Sequence, residues 1–176
     1  MTSVPAHYRK FYLIFMRFAI VMMIFGLLMG ITFQESSKKA PVSGVLPPGM
    51  HLESIIDLAL THGHIFLIGA LIPLALTWLV SLALSMGFEP VSERSLKIGV
   101  RLYIPGAITA VLLMIYKGYH YVLGVRNGQF DFERLHDTFF FGSHVARALA
   151  YGLSHTVMAV GLGCIVIGVW RTLKKE

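Results

Sequence analysis

The chain has 176 residues, of which 56% are hydrophobic and 14% charged, and its mean hydropathy is +0.71. That balance excludes the soluble globular class and describes an integral membrane protein. The formal charge of +6 sits beside apolar runs, where it sets topology, and gives no reason to expect a nucleic-acid partner. The single cysteine, Cys164, lies inside an apolar run; it packs as a small hydrophobe and excludes an intrachain disulfide framework.

Residues 1–10 form a polar lead ending in Arg9 and Lys10. The apolar run Phe11–Phe33 is long enough to span a bilayer. It is too long for a signal-peptide core and no small-residue cleavage site follows it, so a retained helix is expected, with Arg17 snorkelling to the interface. Gln34–Gly49 holds three prolines and two glycines and is expected to be a loop. Leu52–Leu60 regains helical character and leads into the second span, Thr61–Met86, which opens with His62 and His64 and continues without a charge. The polar turn after Met86 carries Arg94 and Lys97. A third span to about Val125 ends in Tyr116, Lys117, Tyr119, His120 and Tyr121, an aromatic and cationic cluster suited to a membrane interface. Arg126–Asp137 is expected to be a second loop, and a fourth span runs from about Gly142 to Arg171.

The expected architecture is therefore one all-α domain over residues 1–176, an up-down bundle of four transmembrane helices at about 11–33, 55–86, 98–125 and 142–171. Nine of the Lys and Arg residues fall at the N-terminus, the turn after span two and the C-terminus, which places both termini in the cytoplasm by the positive-inside rule. His62, His64, His120, His136 and His144 then gather at the outer face.

Ionisable residues inside spans are expensive to place and mark sites. Small residues mark the faces where membrane helices meet. On a uniform helix His62 shares a face with Phe66, Gly69, Pro73 and Thr77, whereas His64 points roughly 160° away. His155 shares a face with Gly152, Ala159 and Gly163, with His144 on the same face and Arg147 near it. His120 aligns with Gly106, Thr109 and Lys117. Two neutral imidazoles from diagonal helices are what a low-spin b-type haem needs. The expected ligands are His62 and His155, followed by His64 and His120, with Arg147 and Lys117 placed to meet the propionates. His155 lies about 5 Å deeper than His64 on the rise per residue. Copper or zinc held by His62, His64, His120, His144 and His155 is the alternative, since imidazole suits both ions. A third reading gives these histidines only packing and hydrogen-bonding roles, in an accessory subunit of a respiratory complex. No nucleophile triad, phosphate loop or HExxH stretch points to a hydrolase.

Several stretches together resemble a family of small four-helix bacterial membrane proteins of unknown function. They are Gly30, Phe33, Glu35, Ser37 and Lys38 at the end of span one; His62, His64 and Gly69; Gly118, Val122, Leu123 and Gly124; and Gly152 with His155. Lys117 stands where that family has a histidine, with His120 one turn on. A fainter likeness is to subunit I of the haem-copper oxidases and nitric oxide reductases. It rests on His62 eleven residues before Pro73 and on the segment 135–144, LHDTFFFGSH, whose His144 matches a haem-ligating position while Ala146 stands at the second. The resemblance implies a multi-pass protein of the bacterial cytoplasmic membrane. Electron transfer, haem handling, or gas and redox sensing are the roles expected, with the lipid bilayer and a redox partner or respiratory complex around it and a homo-oligomer as an open arrangement.

Overall fold

A computed structural model describes residues 4–39 and 50–174, with side chains placed for 4–36 and 54–174. The described chain is helical: α1 (Ala6–Lys39), α2 (Met50–Phe66), a π-helical turn (Leu67–Leu71), α3 (Ile72–Ser85), α4 (Glu93–Arg126), α5 (Phe132–Thr138) and α6 (His144–Leu173). Among the described residues four stretches are long and apolar enough to cross a membrane, Ala6–Ser36, Ser54–Ser85, Glu93–Arg126 and His144–Leu173. They form the four-span up-down bundle expected from the sequence. The helices run further at most ends than the apolar runs alone indicated. The start of the expected loop 34–49 is the last stretch of α1, and residues 40–49, with their prolines, lie outside the described residues.

The first and last described residues lie at one end of the bundle, called here the near end. The Val91 N–H donates to the Tyr8 hydroxyl (2.6 Å) and the Val91 carbonyl accepts from His7 Nε2 (3.0 Å), so α1 clamps the α3–α4 loop. Gly168 of α6 faces Val91 and Ser95 at that same end. Two of the interhelical turns are closed by Schellman motifs. Gly87 (φ +90°) donates to Leu84 O while Phe88 donates to Ala83 O, and Gly128 (φ +80°) repeats the pattern on Val125 and Gly124. Serine caps start two spans, Ser92 for α4 and Ser143 for α6.

Packing is uneven around the bundle. The most extensive contact joins α4 to α6; α1 packs on α2, the π turn, α3 and α4, whereas α6 reaches α3 but makes no extensive contact with α1 or α2. Glycine explains the α4–α6 seam. A Cβ on Gly106 would strike the backbone of Met158, one on Gly161 the backbone of Tyr103 and Gly99, and one on Gly99 the side chain of Ile165. In a bilayer lipid tails are as apolar as leucine, so close backbone approach, with its dispersion contacts, drives helix association.

Span two is broken in register by its π turn. Ile72 N–H bonds to Leu67 O, five residues back. In that register the next donor would be residue 73, reaching Ile68 O, but Pro73 has no N–H. The orphaned Ile68 carbonyl is instead taken by the hydroxyl of Tyr103 (2.6 Å), a side chain of α4 that is 0% exposed.

Two outcomes check this account in detergent-solubilised protein. Gly161→Ala is expected to lower stability by about 1–3 kcal/mol, the usual cost of overpacking, whereas Gly163→Ala, with open space at its Cβ, is expected to be neutral or slightly stabilising. Equal effects in thermal unfolding would refute the seam. Tyr103→Phe is expected to cost about 1–3 kcal/mol by stranding a buried carbonyl, because the substitution keeps the ring's packing and removes only the hydroxyl.

Candidate functional site

The far end of the bundle gathers most of the titratable side chains singled out in the sequence. Asp57 of α2 forms an ion pair with Lys117 of α4 (3.1 Å), their side chains 19% and 33% exposed. The Lys117 ammonium also lies 5.5 Å from the centre of the Tyr121 ring. The Tyr121 hydroxyl meets His136 Nδ1 of α5 at 3.0 Å. Arg147 of α6 donates to the His136 carbonyl (2.8 Å) and to His144 Nδ1. Four helices are thus tied by one polar chain. At the rim of an apolar bundle an unpaired charge is costly, and the contact gives each of these side chains a partner of opposite sign.

The helix α5 is a feature sequence reasoning assigned to a loop. Its seven residues (Phe132–Thr138) are started by Asp131, whose side chain accepts from Arg134 N–H, and this capping aspartate was the available signal. Gly124 makes room for Leu135, which is 1% exposed. Beyond α5, Phe140, Phe141 and Gly142 are all left-handed (φ 56°, 55° and 78°). Two bulky residues there are strained. The turn leaves Phe139 buried against Tyr116 and His120, and Phe141 fully exposed.

A carbonyl oxygen can only accept, so each histidine bonded to one reveals which nitrogen carries its proton. His64 is half-buried and its Nδ1–H donates to Leu60 O (2.7 Å). His155 is exposed and its Nδ1–H donates to Tyr151 O (2.8 Å), the ring lying nearly parallel to that of Tyr151 (22° at 6.4 Å). Both therefore present Nε2 as the lone-pair nitrogen, with no hydrogen-bond partner among the described residues. His120 has the other arrangement: Nε2 donates to Leu135 O (2.8 Å), with the Thr138 hydroxyl 3.3 Å away. His144 has both nitrogens engaged, Nδ1 by Arg147 and Nε2 facing Asp137 (3.8 Å). His62 is turned to α1. Its Nε2 stands 3.0 Å from where a Cβ of Gly30 would be, and its ring meets Phe66 edge-on (88° at 5.1 Å).

The sequence-based expectation set His62 opposite His155 of α6; the His62 ring lies against Gly30 of α1. Among the described residues no three or more His, Cys, Asp or Glu side chains converge as a metal site. Sequence reasoning did not find the Asp57–Lys117 pair as a unit. Its one trace was two opposite charges standing at the far ends of adjacent spans.

The family model described as "Protein of unknown function (DUF2871)" matches residues 13–172, and the chain belongs to that family. Comparison with curated proteins and with solved structures found no match. The chemistry of the far-end site therefore rests on its own residues.

His136 titrates below its ordinary value of 6.5, first because burial disfavours the imidazolium and then because Arg147 and Lys117 repel it. A folded value below the unfolded one means that protonation penalises the folded state. The stability is intact above the unfolded value of about 6.5 and falls as pH drops through the lower folded value. NMR titration is expected to place His136 below 6.5, Arg147→Met to move it upward, and His136→Gln to flatten the acid limb of a stability profile. A midpoint at or above 6.5 in the unmodified protein would contradict the network.

Proposed function

We propose that this chain is a b-type haem-binding membrane protein whose axial ligands are Nε2 of His64 and Nε2 of His155. The observation that carries the reading is the matched tautomer. In both residues a main-chain carbonyl one turn back holds Nδ1–H and leaves Nε2 uncommitted. Such a second hydrogen bond fixes ring orientation and raises the basicity of the ligating nitrogen.

The surrounding packing supports it. α6 hugs α4 and makes no extensive contact with α2, so the far halves of spans two and four are left with uncovered faces. Ala148, Gly152 and Ala159, at helical spacing around His155, are exposed and small, and a Cβ on Gly152 would meet nothing within 4 Å. A flat macrocycle needs such a wall. Leu60, Leu67 and Leu71 flank His64 along its own span and are exposed apolar side chains. Arg147 stands two turns from His155 toward the far end, where its guanidinium suits a propionate. Haem held by His64 and His155 would supply a one-electron couple, and a pair of imidazole ligands would favour electron transfer or redox sensing over substrate activation.

Compared with the expectation from sequence, His64 replaces His62 as the span-two ligand, because the His62 ring is committed to Gly30 and Phe66. His144 is set aside because both of its nitrogens are engaged, and His120 because its Nε2 is held by Leu135 O, the opposite arrangement to that of His64 and His155.

The test is a visible spectrum of the detergent-purified protein, oxidised and then dithionite-reduced. A strong Soret band with sharp reduced α and β bands is expected. His64→Ala and His155→Ala are each expected to remove the low-spin bands while leaving expression intact, and His62→Ala and His144→Ala to retain them. A colourless unmodified protein would overturn the reading, and copper or zinc found by elemental analysis would then replace it. Retention of the bands in both His64→Ala and His155→Ala would overturn the ligand assignment.

A further inference from the structure

At the near end, away from the far-end histidines, α1 and α4 flank a half-open cavity of about 240 Å³. Two facing helical stripes build its walls. On α1 they are His7, Lys10, Phe11 and Ile14; on α4 they are Glu93, Leu96, Lys97, Val100 and Arg101. The chemistry is divided along the helix axes. Phe11 and Leu96 are buried and form an apolar floor, while Lys10, Lys97 and Arg101 are exposed at the rim. Three cations stand against a single carboxylate, Glu93, so the lining carries a net positive charge.

We propose that this cavity is a binding site for an anionic phospholipid. The phosphate-bearing headgroup sits among Lys10, Lys97 and Arg101, and an acyl chain runs along Phe11, Ile14, Leu96 and Val100. Charge complementarity selects the headgroup: a net positive cluster of long cationic side chains at a membrane surface is attracted to acidic lipids, and basic pockets between spans are a recurring way of holding them. The apolar wall selects a lipid over a free phosphate. Both walls are membrane-spanning helices, so a chain can enter sideways from the bilayer without crossing water. The stems of Lys97 and Arg101 extend the apolar surface while their heads remain at the interface. His7, fixed by its bond to Val91 O, and Tyr8 beside it hold the first turn of α1 against the α3–α4 loop and keep the two stripes in register.

The experiment is native mass spectrometry and thermal unfolding of the full chain in detergent, with phosphatidylglycerol, phosphatidylcholine or inorganic phosphate added at equal concentration. Phosphatidylglycerol is expected to remain bound and to raise the unfolding temperature, whereas the other two have little effect. Each of Lys10→Gln, Lys97→Gln and Arg101→Gln is expected to weaken phosphatidylglycerol retention about fivefold. Arg171→Gln with Lys174→Gln removes two exposed cations at the same end but outside the cavity, and is expected to leave retention unchanged. Lys97→Gln alone, at an exposed helical position, suffices if either of the other two variants fails to fold. The proposal is overturned if phosphatidylcholine binds equally, if inorganic phosphate stabilises as well as the lipid, or if the Arg171 and Lys174 substitutions abolish retention as strongly as those in the cavity.

Discussion

The backbone-to-backbone approach of α4 and α6 is the constraint from which the rest of the bundle follows. Gly99, Gly106 and Gly161 allow it, with Met158, Tyr103 and Ile165 filling the space that side chains would otherwise occupy. Inside a bilayer no hydrophobic drive brings one span to another, so the pair that fits most closely is the pair that forms. With its small-residue face turned to α4, α6 has little left for spans one and two. The bundle is consequently tight along one seam and loose along another, and His155, beside the small residues Gly152 and Ala159, is exposed.

Span two answers a second constraint. Its π turn and Pro73 remove a hydrogen bond that water cannot replace in an apolar interior, and a single phenol from α4 restores it. The turn also separates the phase of the two halves of the span, because one residue more per turn rotates everything beyond it by about 100°. The near half is then free to bury Leu76 and Val80, while the far half presents Asp57 to Lys117 and ties His64 back to Leu60 O. A regular helix would have had to compromise between the two. Bulges of this type are frequent at functional positions, and here the distortion sits one turn from the proposed ligand.

The far-end polar chain ties α2, α4, α5 and α6 without filling the space between α2 and α6. Asp57 and Lys117 neutralise each other, Tyr121 passes the connection to His136, and Arg147 closes it from the fourth span. It therefore fixes the distance between helices at the rim while the histidines below keep an uncommitted nitrogen. The near end is organised differently, by the clamp of His7 and Tyr8 on Val91 and by a ring of cations around an apolar floor. The two ends differ in chemistry because in one the charges bind the helices to each other, and in the other they are left at the exposed rim.

Much of this was legible in the residues taken in order. Hydropathy set four spans and their approximate limits, since twenty apolar residues have few alternatives to crossing a bilayer. Charge spacing indicated that the histidines of spans two, three and four collect mostly at the end opposite the basic loops. Helix α5 was hidden because a short, charged segment looks like a loop until Leu135 finds the notch at Gly124. The preference for His64 over His62 was hidden for a related reason: phase counting does not say which neighbouring helix a face meets, and it is Gly30 of α1 that stands against the His62 ring. The sequence by itself determined the membrane class, the number of spans and the set of candidate ligands, because these depend on local composition and on transfer to lipid. Only the tertiary structure decided which helix each face meets and which imidazole nitrogen stays available, because both depend on carbonyls, glycines and charges brought near from elsewhere in the chain.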